Sequence, residues 1–232
     1  MSSWREFCSD WWLDKADRLE AEWVDGVPVN WYGSRTVWDC GLFAMDYENA
    51  ATQRAAMPPE FVAAAGPGPT PTDLNHLFHL FTAGVPTGGP IIEWGGGFGN
   101  SARLGAKLAD QPYTIVDIPV MSRLQRVFLV RSWAHVGVNL CDHEDPRLTS
   151  SLANPSLFLA AFSLDECTTA AHDFLFGCDW YGAERVVIVA QTHGKEDMFP
   201  DAVSLAARLR DAGFVETPAL QTYASYFRLD RS

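Results

Sequence analysis

The stretch IIEWGGGFGNSARLGAKLADQPYTIVDIP, from Ile91 to Pro119, decides how this chain is read. An apolar run is followed by four glycines, a helical stretch, a second apolar run and then Asp117. Glycines permit positive φ and let a ligand approach the backbone with no Cβ in the way. A strand, glycine loop, helix and strand in this order place a nucleotide-like ligand beyond the carboxyl ends of parallel strands. Asp117 ends the second strand, where its carboxylate can accept hydrogen bonds from two ribose hydroxyls.

Outward from that stretch, the pattern keeps alternating. LNHLFHLFTAGV (Leu74 to Val85) spaces its apolar residues as a helix before the PIIEW strand. MSRLQRVFLVRSW reads as a helix, HVGVNLCD and SLFLAAFS as strands, and DECTTAAHDFLFG as a helix. RVVIVAQ is a β-branched strand, DAVSLAARLRDAGF an amphipathic helix, and FVETPAL with SYFRLDR a terminal pair of strands. Such alternation predicts an α/β fold, Rossmann-like, with seven strands in a mostly parallel sheet and an antiparallel C-terminal strand.

Residues 1–72 read differently, as an aromatic-rich helical cap ahead of the ligand-binding domain at 73–232. SSWREFCSDWWLDKADRLEAEW is expected to form one helix capped by Ser3, and AAAGPGPTPTD (Ala63 to Asp73) to be the linker. Trp4, Trp11, Trp12, Trp23, Trp31 and Trp38 either pack this segment onto the main domain or form a lid whose flat rings meet a substrate.

Composition removes several function classes. The 232 residues carry 17 basic and 29 acidic side chains, a net charge of -12, so neither nucleic acid nor an anionic membrane is an expected partner. Cys8, Cys40, Cys141, Cys167 and Cys178 form no CxxC pair, which indicates neither a disulfide framework nor a thiolate zinc site. No secretory leader or membrane-length apolar run is visible, and the expected setting is cytoplasmic.

Two cofactors fit the loop. GFGNSA (Gly97 to Ala102) satisfies the dinucleotide fingerprint, with Asp117 near the required offset, and this leaves an NAD-dependent oxidoreductase as one alternative. Glu93 and Gly95 extend the loop to E-x-G-x-G-x-G. A carboxylate there suits the cationic sulfonium and amino group of S-adenosylmethionine better than a pyrophosphate. That spacing is similar to the class I S-adenosylmethionine-dependent methyltransferases.

IIEWGGGFGNSARL, YTIVDIPVMSRLQRVFL and SLFLAAFSLDEC together resemble the bacterial sugar O-methyltransferase family over Ile91 to Gln191. The resemblance implies a class I methyltransferase fold and O-methylation of a sugar or glycosylated small molecule. It assigns Gly95, Gly97 and Gly99 to the cofactor loop, Asp117 to the ribose, Gln125 to the family's helix glutamine, and Glu166 to its glutamate after the SLFLAAFS strand. Asp165 and Ala161 stand where that family usually has serine and asparagine. Those two departures leave a catalytically inactive binding or scaffold protein as a further alternative.

A sugar hydroxyl is a weak nucleophile, so a base or a metal is expected near the acceptor. Glu166 is the first catalytic candidate; a carboxylate favoured by a helix N-terminus would look the same. His193, in QTHGKED, is the second, as an imidazole that titrates near neutrality or as an ordinary loop residue. His172 is expected to face solvent or core. In CDHEDP, the resemblance to class I methyltransferases puts Asp142 where they often hold an acidic or polar residue near the adenine amine; the run of ionisable residues could hold a divalent metal, but a solvated charge run is commoner, and no metal ligands are assigned. The expected partners are a small-molecule or glycan substrate, and a homo-oligomer is compatible with the sequence.

Overall fold

A computed structural model describes residues 3–24, 27–28, 47–109, 111–132, 134, 136–191, 202–217 and 224–232. The helices are α1 (Asp10–Ala21), α2 (Tyr47–Ala56), α3 (Pro59–Ala63), α4 (Pro71–Thr82), α5 (Asn100–Leu108), α6 (Pro119–Arg131), α7 (Thr169–Gly177) and α8 (Ala202–Asp211). After a short ribbon of β1 (Trp23–Val24) and β2 (Val27–Pro28), the main strands are β3 (Ile91–Trp94), β4 (Tyr113–Val116), β5 (Val138–Cys141), β6 (Leu157–Ala161), β7 (Arg185–Gln191), β8 (Phe214–Thr217) and β9 (Ala224–Arg231).

The seven main strands run in the order β5-β4-β3-β6-β7-β9-β8. β3 pairs in parallel with both β4 and β6, while β9 is antiparallel to both β7 and β8. From β3 the chain moves outward through β4 and β5, then returns to place β6 on the other side of β3. This reversal opens a crevice above the carboxyl ends of β3 and β6, where ligands bind in open α/β sheets.

Alternation along each strand fills two cores. Ile91, Tyr113, Ile115, Leu157, Leu159 and Val187 pack beneath α4 and α5, together with Ala50, Met57 and Phe61 of the segment from α2 to α3. Ile92, Trp94, Val116, Phe158, Ala160 and Ile188 pack beneath α7 and α8. α4 starts cleanly because Pro71 is at its first position and Thr70 and Asp73 form a capping box. α5 contains Gly105 because a Cβ there would lie 2.4 Å from Cε2 of Tyr113.

The N-terminal segment corrects the expectation of a single helix. Ser3–Phe7 is a 3-10 helix, Cys8 forms an antiparallel bridge with Cys167, and α1 starts only after Ser9. The Phe7 carbonyl accepts from the Thr168 N–H at 3.0 Å, so it is committed to strand pairing and not to a continuing helix. α1 then lays Ala16 and Leu19 against Phe98 of the glycine loop and Val120, Met121 and Leu124 of α6. Residues 3–21 thus cross the mouth of the crevice. Trp31 and Trp38 lie outside the described residues.

Candidate functional site

The loop after β3 turns on glycines with φ of +69° at Gly95, +56° at Gly97 and +96° at Gly99. Gly95 is also needed for space, because a Cβ there would lie 2.4 Å from Cβ of Ser163 in the loop after β6. The Ser163 hydroxyl donates to the Trp94 carbonyl at 2.5 Å, which pins the ends of β3 and β6 together. The loop therefore sits over the switch point, half-buried at Gly95 and Gly97 and buried at Gly96, Phe98 and Gly99.

Asp117 follows β4 and is held from three directions. Its carboxylate accepts from the Ile118 N–H at 2.8 Å, from Gln125 Nε2 at 2.6 Å and from the Gly96 N–H. Gln125 also donates to the Gly97 carbonyl at 2.9 Å, so loop, acid and helix α6 close a ring of bonds. Burial pushes the Asp117 carboxyl up to about 7, even though the three donors act to lower it. A carboxylate has about four acceptor sites, so in this arrangement roughly one stays open for a ribose hydroxyl instead of two.

Glu93 departs from the expectation that it faces the ligand. It shares a sheet face with Ile91, is 2% exposed, and accepts from the Tyr113 hydroxyl at 3.1 Å and from Ser101 in the first turn of α5. Alternation along β3 directs it beneath the loop, where the positive end of α5 favours a carboxylate. Burial pushes its carboxyl up to about 7, opposed by Tyr113 and Ser101 and reinforced by Asp117.

Across the crevice, Glu166 is buried and accepts from the Trp12 indole N–H at 2.6 Å. Glu166 lies before α7, whose N-cap is Thr168, so it is not a first-turn carboxylate of that helix. Phe7 packs against Trp94 at 6.3 Å and His143 at 4.7 Å, and the Thr168 hydroxyl donates to the Glu6 carbonyl at 2.6 Å. The N-terminal strap is therefore one wall of the site. Burial pushes the facing thiols of Cys8 and Cys167 up, Cys8 to about 12, which makes both poor nucleophiles.

Asp142 is exposed at the end of β5 and accepts from the Glu144 N–H at 2.9 Å, which closes a turn. His172 is a core residue, 4% exposed, with Nε2 against the Leu164 carbonyl at 2.9 Å. His193 lies outside the described residues. Among the described residues, no group of three or more His, Cys, Asp and Glu side chains is assembled to hold a metal ion. No helix among them is long and apolar enough to cross a membrane.

Sequence reasoning missed three contributors: Trp12 as the partner of Glu166, Ser163 as the pin between strands, and the polar cluster beside the loop. In that cluster Asn100 Nδ2 donates to Asp73 at 3.2 Å and to His76 Nδ1 at 3.0 Å, and Arg103 pairs with Asp73. Burial pushes the His76 imidazole down to about 4, so it stays neutral near pH 7. Only the i, i+3 spacing of Asp73, His76 and His79 on one helix could have signalled it.

The strand order and the glycine loop over its central crevice define the class I methyltransferase fold. No family model and no curated protein matches the chain. Solved structures do match. An O-methyltransferase family protein from Burkholderia thailandensis gives a TM-score of 0.56 at 12% identity, covering 95% of this chain and 69% of its own. The mitomycin 7-O-methyltransferase MmcR gives 0.50 at 10% identity, covering 85% and 70%. TrmK of M. capricolum, solved with its natural cofactor product S-adenosylhomocysteine, gives 0.50 at 8% identity, covering 66% and 67%. What these proteins share with this chain is the fold.

Proposed function

We propose that this protein is an S-adenosylmethionine-dependent methyltransferase acting on a hydroxyl of a sugar or glycosylated small molecule. The ring of bonds that fixes Asp117 beside the glycine loop is the observation that carries the cofactor reading. The antiparallel β9 between β7 and β8 supports it further, because dinucleotide-binding sheets run in the order 3-2-1-4-5-6 without such an insertion. The sugar reading rests on the resemblance over Ile91 to Gln191 and on the aromatic strap, since flat rings can stack on a sugar. A net charge of -12 favours a small acceptor over nucleic acid.

When bound, S-adenosylmethionine supplies an electrophilic methyl group on a sulfonium, already activated for in-line displacement. The chain's own residues then bind and align. Asp117 would hold a ribose hydroxyl, the loop from Gly95 to Gly99 would hold the cofactor, and Asp142 just after β5 would be the partner of the adenine amine. Glu166, oriented by Trp12, is the candidate base for the acceptor hydroxyl, with His193 as the second candidate. Glu93 acts beneath the loop by holding Tyr113 and Ser101.

Incubation with S-adenosylmethionine and a panel of glycosides, followed by mass spectrometry, tests the reaction. The expected product carries one added methyl on oxygen. Cofactor binding with no transfer to any acceptor would favour a binding protein, and transfer to nitrogen or carbon would contradict the acceptor assignment.

A further inference from the structure

We infer that Gln125 is a positioning residue that holds Asp117 and the glycine loop in the geometry a ribose requires; this deepens the cofactor reading and rests on it. Gln125 lies on α6, is 0% exposed, and gives both hydrogens of its amide to the site. One goes to the Gly97 carbonyl at 2.9 Å and the other to Asp117 Oδ2 at 2.6 Å. Its own Oε1 is buried without a partner. An unsatisfied buried acceptor costs stability, so a buried apolar side chain would serve packing better at this position.

The direction of the effect follows from charge. Among the described residues, the titratable groups near Asp117 are Glu93 beneath the loop, Cys8 of the strap and Cys167 of the loop after β6. None is a cation. Gln125 is thus the side-chain donor that favours the ionised form of Asp117, and that form is the better acceptor for a ribose hydroxyl.

The test compares wild type, Gln125→Leu and Gln125→Glu in two assays, with thermal melting to confirm folding. Carbon-13 NMR of labelled aspartate carboxyls, assigned with Asp117→Asn, follows the Asp117 titration without any cofactor. Gln125→Leu is expected to raise that titration by about one pH unit. Calorimetry with S-adenosylhomocysteine from pH 6 to pH 8.5 is expected to show about tenfold or more weaker binding in Gln125→Leu. In Gln125→Glu a second carboxyl faces Asp117, and affinity is expected to fall as pH rises, opposite to wild type. A folded Gln125→Leu with an unshifted Asp117 titration would overturn the inference. Wild type that shows the Asp117 shift but never binds S-adenosylhomocysteine would overturn the cofactor reading and leave the positioning role standing.

Discussion

The two sides of the crevice between β3 and β6 are built in different ways. On the side proposed for the cofactor, Gln125 reaches Gly97 across 28 positions of sequence and Asp117 across 8. On the side proposed for the acceptor, Trp12 reaches Glu166 across 154 positions, and Thr168 reaches Glu6 across 162. One side is a contiguous unit held by backbone and short-range bonds. The other exists only when the N-terminal strap folds back over the sheet. Closure of a long loop costs entropy that local contacts avoid, so the acceptor side is the place where opening is easiest.

The largest expected effect attacks the contiguous side. Asp117→Ala removes the proposed ribose acceptor and the partner of Gln125, and S-adenosylhomocysteine affinity is expected to fall about a hundredfold. Calorimetry measures it, and unchanged affinity would break the assignment of that side to the cofactor. Gly95→Ala comes next. Its Cβ would lie 2.4 Å from Cβ of Ser163 at a backbone φ of +69°, so the ends of β3 and β6 must separate. Overpacking of this kind costs about 1–3 kcal/mol, which predicts a melting temperature lower by about 2–10 °C and weakened cofactor binding.

A pH series sharpens the same side. Burial raises Asp117 and Glu93 to about 7 in the folded chain, above their ordinary carboxylate values. Raised acids leave stability fully present below about pH 4 and withdraw it as pH rises through about 7. The ligand-free protein is expected to melt several degrees lower at pH 8 than at pH 5.5, and both Asp117→Asn and Glu93→Gln are expected to flatten that slope. A melting temperature rising steadily with pH over this range would contradict the environment described for the two acids.

The smallest effect concerns the strap. Trp12→Phe keeps most of the ring and removes the N–H that Glu166 accepts at 2.6 Å. Cofactor affinity is expected to change by less than about threefold, while kcat/KM for the acceptor falls about tenfold. Equal losses in both would show that the two sides are not separable.

This difference also explains what the amino-acid sequence revealed. The alternation of strands and helices, the glycine turn at Gly95 to Gly99 and the place of Asp117 after β4 were legible because periodicity, glycine spacing and a following acid are all local signals. The direction of Glu93 was not, because alternation puts it on the face of Ile91 but a strand buried on both faces does not say which face meets the ligand; the partners Tyr113 and Ser101 show that it is the face beneath the loop. The break at Cys8 was hidden by helical spacing of aromatics on both sides, since the bridge to Cys167 is a tertiary contact. Trp12 carried no signal of its own among six tryptophans in the first third of the chain.

Titration of wild-type protein with S-adenosylhomocysteine and, separately, with NADH tests the central claim most directly. Micromolar-range binding of S-adenosylhomocysteine, with no heat from NADH, is the predicted result. NADH binding without S-adenosylhomocysteine binding would contradict it.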